Sequence, residues 1–199
     1  MLGERGLAAV TRALRPRDTA TALARVIGPA ELPEGRWDVT EQITLRIGPL
    51  TGAAPWALNA RSAGELSALR VFVDRTLGRT VSVQATTLAS AEDARAALDW
   101  FRERMQRSLA RRGRTIDQQD VEPPAVPAVD ATWAHEQFVS GYGYRLTLGA
   151  TRAEKLVLVH ARGRHYTWAW PELVDILETQ LAKGANCGKR GTEQNQGHD

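Results

Sequence analysis

The sequence predicts an α+β domain, an antiparallel sheet of about six strands carrying two main helices and a short N-terminal one. Three stretches carry that expectation. Residues 37–47 alternate, with Trp37, Val39, Ile43, Leu45 and Ile47 on one side and polar side chains on the other, the mark of a half-buried strand. In 90–112, Ala94, Leu98, Phe101, Met105 and Leu109 recur at helical spacing and give one apolar stripe facing the sheet. The third stretch, 155–181, reads KLVLVHARGRHYTWAWPELVDILETQL. Leu156, Val157, Leu158 and Val159 are apolar at consecutive positions, so this strand is expected to be covered on both faces. After a turn at Arg162-Gly163-Arg164, Tyr166, Trp168 and Trp170 share one face of a second, aromatic strand. A helix over 171–183 follows, with Pro171 at its first position and Leu173, Val174, Leu177 and Leu181 as its buried stripe.

Taken in order, residues 1–17 read as a mobile arm broken at Arg15-Pro16. Asp18 is placed to cap a helix over 19–27, which Gly28-Pro29 stops; Ala22, Leu23 and Val26 give it a narrow apolar stripe. After the 37–47 strand, 48–64 is an irregular loop holding Trp56. Strands over 69–74 and 80–87 flank a turn at 76–79. Ser90 with Asp93 three residues on forms a capping box for the central helix. A polar, Pro-rich crossing follows through Glu122-Pro123-Pro124 and Pro127, where proline forbids helix. Strands over 131–139 and 144–148 make a hairpin across 140–143. The polar stretch 184–199 is expected to be disordered, leaving one domain over 18–183.

Composition bounds function mainly by exclusion. At 199 residues, 43% apolar and 25% charged, the chain suits one ordinary globular domain. Its net charge of +3 is modest, and its cations are nearly all arginine. Cys187 is the one cysteine, so no internal disulfide forms; that, and the absence of an apolar signal-like stretch, gives a cytoplasmic expectation. No segment has the length and apolarity of a membrane span.

Catalytic patterns are missing. His135-Glu136 lacks the second histidine of a zinc helix, and His160 and His165 have no nearby Cys, Asp or Glu to complete a tetrahedral set. There is no nucleophile elbow, and Gly141-Tyr142-Gly143 does not lead into a helix as a phosphate loop does. No catalytic residue, metal or cofactor is therefore assigned. The basic run 102–114 sets six arginines against Glu103 and is a weak nucleic-acid candidate, but cations also favour a helix C-terminus. The remaining signal is aromatic. Trp133, Tyr144, His165, Tyr166 and Trp168 are the candidate partner or ligand surface, with Trp168 expected in a groove and Trp170 fixed by the turn into Pro171.

Three stretches also carry a resemblance: RTVSVQATTLASAEDARAALDWF, GRTIDQQDVEPPAVPAVDATW and EQFVSGYGYRLTLGATRAEKLVLVHARG. Over about 37–181 the order of strand, capped helix, Pro-rich crossing and strand meander resembles PsbP-like and DcrB-like small domains. These include LpqN-type lipoproteins and type VII secretion-associated proteins of actinobacteria. The resemblance implies an antiparallel sheet with helices packed on it, no enzymatic activity, and binding of a protein partner or an apolar ligand. The chain departs from it in having no lipobox cysteine. The expected function is a non-catalytic protein-binding accessory domain, with a small-molecule or lipid carrier, its pocket between sheet and helix, as the rival.

Overall fold

The structure, a computed structural model, describes residues 16–46, 66–110, 116–139, 143–164 and 167–185. Its centre is one seven-stranded antiparallel sheet in the order β1-β2-β3-β7-β6-β5-β4. The strands are β1 (Trp37–Arg46), β2 (Leu66–Asp74), β3 (Arg79–Thr87), β4 (Ile116–Val121), β5 (Ala131–Val139), β6 (Gly143–Arg152) and β7 (Lys155–Gly163). Two meanders, β1 to β3 and β4 to β7, meet where β3 pairs with β7. The helices are α1 (Pro16–Ala24), α2 (Ala91–Ala110) and α3 (Trp170–Ala185).

The apolar run in β7 is buried from both sides, as its composition requires. Val157 and Val159 point to the face covered by α3, where Leu173, Ile176, Leu177 and Leu181 are fully buried. Leu156 and Leu158 point the other way and join Leu98, Ala94 and Trp133 beneath α2. Phe101 and Met105 pack at the margin of that second core. The two main helices thus lie on opposite faces of the same strands. Of the expected capping box the N-cap half is seen: Ser90 Oγ accepts the Asp93 amide at 3.1 Å, and its hydroxyl donates to Asp93 Oδ2 at 2.9 Å.

Four expectations are corrected. The helix expected over 19–27 is α1, which begins at Pro16, the residue read as the break before it; proline fits a helix's first turn. The alternation of β1 is interrupted by a bulge, since Val39 pairs with Phe72 and Glu41 with Val71. Gln42 therefore follows Val39 on the α3 face, opposite Arg70. There Arg70 uses Gln42 as a support, at 3.3 Å, and donates to the Val26 and Ile27 carbonyls just beyond α1, each at 2.8 Å. The Pro-rich crossing contains a strand, β4, whose sequence IDQQDV is polar because it sits at the sheet edge. Finally, the described residues between β7 and α3 form no aromatic strand: 167–169 are irregular and lead straight into α3. The expected arm and tail, and the loop holding Trp56, lie outside the described residues except where α1 and α3 extend into them.

Candidate functional site

Of the five side chains expected to form a surface, the three described ones do not share one. His165 and Tyr166 lie outside the described residues. Trp168 is 5% exposed and is a core residue, which corrects its placement in a groove. It stacks on Trp37 at 5.7 Å between ring centres, and its Nε1 donates to the Arg162 carbonyl at 3.2 Å. Trp170 is the less buried of the two. Tyr144 is half-buried on the α3 face and donates to Glu136 Oε2 at 2.5 Å, whereas Trp133 is buried on the opposite face.

What holds Trp168 is a buried arginine that the pattern did not single out. Arg79 lies over both indoles, 4.6 Å from the centre of Trp168 and 5.1 Å from that of Trp37. Its donors reach Asp74 Oδ2 (3.2 Å), Glu172 Oε1 (2.6 Å) and the Glu34 carbonyl (3.2 Å). Burial alone would raise the Asp74 carboxyl. The amides of Thr76 and Leu77 together with Arg79 outweigh it and hold Asp74 below the usual aspartate range. Each of the three guanidinium nitrogens donates to a protein oxygen, so the arrangement is structural.

The other face of the sheet carries a different polar group, in two adjacent rows. Strand pairing sets Asp120 opposite His135, His135 opposite Thr147, Thr147 opposite His160 and His160 opposite Ser82. The next row sets Gln118 opposite Gln137, Gln137 opposite Arg145 and Arg145 opposite Arg162. Directly opposed residues share a face, so these side chains gather beside α2. His135 and Gln137 are buried, at 3% and 4% exposure.

Asp120 organises one end of the rows. Its Oδ1 accepts from Trp133 Nε1 at 3.0 Å and contacts His135 Nδ1 at 2.9 Å. Its Oδ2 accepts from Arg102 of α2 at 2.8 Å. Burial works to raise this carboxyl, but the hydrogen bonds from Trp133, His135 and Arg102 prevail and lower it. Trp133 also lies against the imidazole, 5.7 Å between centres. Toward the middle, Thr147 Oγ1 and His160 Nδ1 are 3.0 Å apart. Burial, and then the charge on Arg145, push His160 down to about 4, so it is neutral at ordinary pH.

The buried atoms of these rows without a hydrogen-bond partner include His135 Nε2, Gln137 Nε2 and Gln118 Oε1. A buried polar atom left unpaired is costly and calls for an explanation. Chemically, the Asp120–His135 pair has the form of an oriented imidazole, but the hydroxyl facing it, Thr147, is committed to His160. Among the described residues, no three of His, Cys, Asp and Glu gather as a metal would require. Beyond Arg102, most of the basic run 102–114 has side chains outside the described residues.

The signal for this site was present in part. The alternation of ATWAHEQFV puts Trp133, His135 and Gln137 on one face, an unusual pair of polar residues for a covered strand. Their partners Gln118 and Asp120 became visible only with β4. No family model and no curated protein matches the chain. Among solved structures it is similar to the extracellular domain of PknH from Mycobacterium tuberculosis, with a TM-score of 0.52 and 12% identity. That match covers 84% of this chain and 96% of the other. It also matches a putative uncharacterized protein, the Rv0999 ortholog, from Mycobacterium smegmatis, with a TM-score of 0.41 and 12% identity over 83% of this chain and 94% of that one. In fold, then, the chain is similar to a mycobacterial extracellular domain.

Proposed function

We propose that this chain is a non-catalytic binding domain that holds a small polar molecule against the two polar rows beside α2. The observation that carries the reading is the set of unpartnered buried atoms on His135, Gln137 and Gln118. A ligand that pairs them removes their desolvation cost. The placement, between sheet and helix, is that of the carrier reading, but the lining is polar where a lipid carrier needs an apolar one. A flat protein-binding patch has less support. Among the described residues, Leu77 and Phe138 are the large apolar side chains left exposed, and they lie on β2–β3 and β5 respectively. An accessory role in an actinobacterial envelope or secretion system fits both the resemblance of the sequence and the mycobacterial extracellular domain of like fold.

The test is an amide-resolved NMR titration of the full chain with sucrose, myo-inositol, acetamide, citrate and inorganic phosphate. At least one probe should shift resonances of Gln118, His135 and Gln137 in a saturable way. If all five leave those three positions unmoved, the site binds none of these chemistries and the reading is withdrawn.

A further inference from the structure

The row that holds Gln137 continues past it to two arginines. Strand pairing sets Gln137 opposite Arg145, Arg145 opposite Arg162 and Arg162 opposite Thr80, on four adjacent strands of one face. Directly opposed residues hold their Cβ atoms about 5 Å apart, and like charges so placed repel. A carboxylate beside them would relieve this. Of β3, β5, β6 and β7, however, only β5 carries one, Glu136, and it lies on the α3 face. The acids that the sheet does bring to the α2 face stand on its two edge strands. Asp120 on β4 is occupied by Trp133, His135 and Arg102, while Asp38 and Glu41 lie on β1 at the far edge. Asp99 and Glu103 of α2 are exposed.

Two fully exposed arginines can splay into water and escape each other. Arg145 is not placed to do so: it is half-buried, has an interaction of its own, and after burial itself its charge is what holds His160 down. Arg162 is exposed, and β3 beside it lies outside the strands, β5 to β7, on which α2 mainly packs. The pair is therefore reached from solvent and needs no enclosed cavity. Guanidinium forks match the oxygens of a tetrahedral oxyanion, which would replace the repulsion with two charge-assisted contacts. Thr80 adds a hydroxyl on one side, and Gln137, whose buried Nε2 has no hydrogen-bond partner, adds an amide on the other. We infer that Arg145 and Arg162 hold a phosphate-type oxyanion flanked by Thr80 and Gln137, an inference that rests on the proposed binding role through the Gln137 common to both.

The closing experiment is an amide-resolved NMR titration of the full chain in about 0.15 M sodium chloride, where loose ion pairing is screened. Inorganic phosphate and glycerol 3-phosphate are the anion probes, and sucrose and acetamide the uncharged ones. At least one anion should shift Arg145, Arg162 and Gln137 in a saturable way, and the tighter of the two tells a free ion from an ester. Arg162→Gln should weaken that binding about five-fold or more, and Arg162→Lys less, because lysine keeps the charge but loses the fork. Arg162 is exposed, so both variants should fold; Thr80→Val, which removes the flanking hydroxyl, should weaken binding as well. No saturable shift with either anion, or one that Arg162→Gln leaves intact, overturns the oxyanion site. If sucrose or acetamide nevertheless moves Gln118, His135 and Gln137, the binding role of the rows stands without it. If every probe leaves those three positions unmoved, both are overturned.

Discussion

His160 shows how one residue records its surroundings. It sits mid-strand on β7, facing Thr147 and Ser82 across the sheet, with Arg145 adding a positive field. An unfolded chain protonates this histidine near 6.5, while the folded chain holds it to about 4. Between those values the unfolded state takes up a proton that the folded state refuses. Stability therefore falls as pH drops from 6.5 toward 4, and this loss is absent above 6.5. The carboxylates Asp74 and Asp120, both lowered, contribute stability that is lost only at more acid pH. His160→Gln should flatten the dependence between pH 6.5 and 4.5 in urea unfolding. Equal losses in variant and parent across that window would count against a neutral imidazole at this position.

At the scale of elements, the position of α2 is set by one missing side chain. A Cβ on Gly149 would lie 2.6 Å from Leu98 Cδ1 and 2.9 Å from Leu158 Cδ2. Glycine lets the helix settle on β6 and β7 and puts Arg102 within reach of Asp120, so packing and the polar rows depend on the same contact. Gly149→Ala should cost about 1–3 kcal/mol by overpacking. Its urea midpoint should shift with an unchanged m-value. A variant as stable as the parent would mean that α2 adjusts freely and does not position the site.

Across the whole molecule, the N-terminal and C-terminal segments are tied by Gln180 of α3. Its Oε1 accepts the Ile27 amide at 2.9 Å and its Nε2 donates to the Arg25 carbonyl at 2.7 Å. A Glu31–Lys183 ion pair lies at the rim of the same junction. Because Gln180 is 2% exposed, Gln180→Leu would leave two backbone groups unpaired. The expected loss is about 1–3 kcal/mol in equilibrium unfolding. A loss below about 0.5 kcal/mol would show that α1 contributes little to the cooperative unit.

The sequence by itself determined the elements whose burial is periodic along the chain. The stripes of α2 and α3, the doubly covered β7, the β2–β3 and β5–β6 hairpins and the Ser90 cap were all legible, because each depends on neighbours within a few residues. Tertiary structure decided the rest. Alternation names residues that share a face, but not which helix covers it or where a bulge resets the count, as at Thr40 of β1. Trp168 has the spacing of a strand residue, yet its ring is fixed by Trp37 and Arg79, which lie far away in sequence. The polar β4 had no apolar rhythm to reveal it, since an edge strand is defined by its backbone pairing with β5. The candidate site lies across that pairing, so Asp120 and Gln118 join His135 and Gln137 only once the chain has folded.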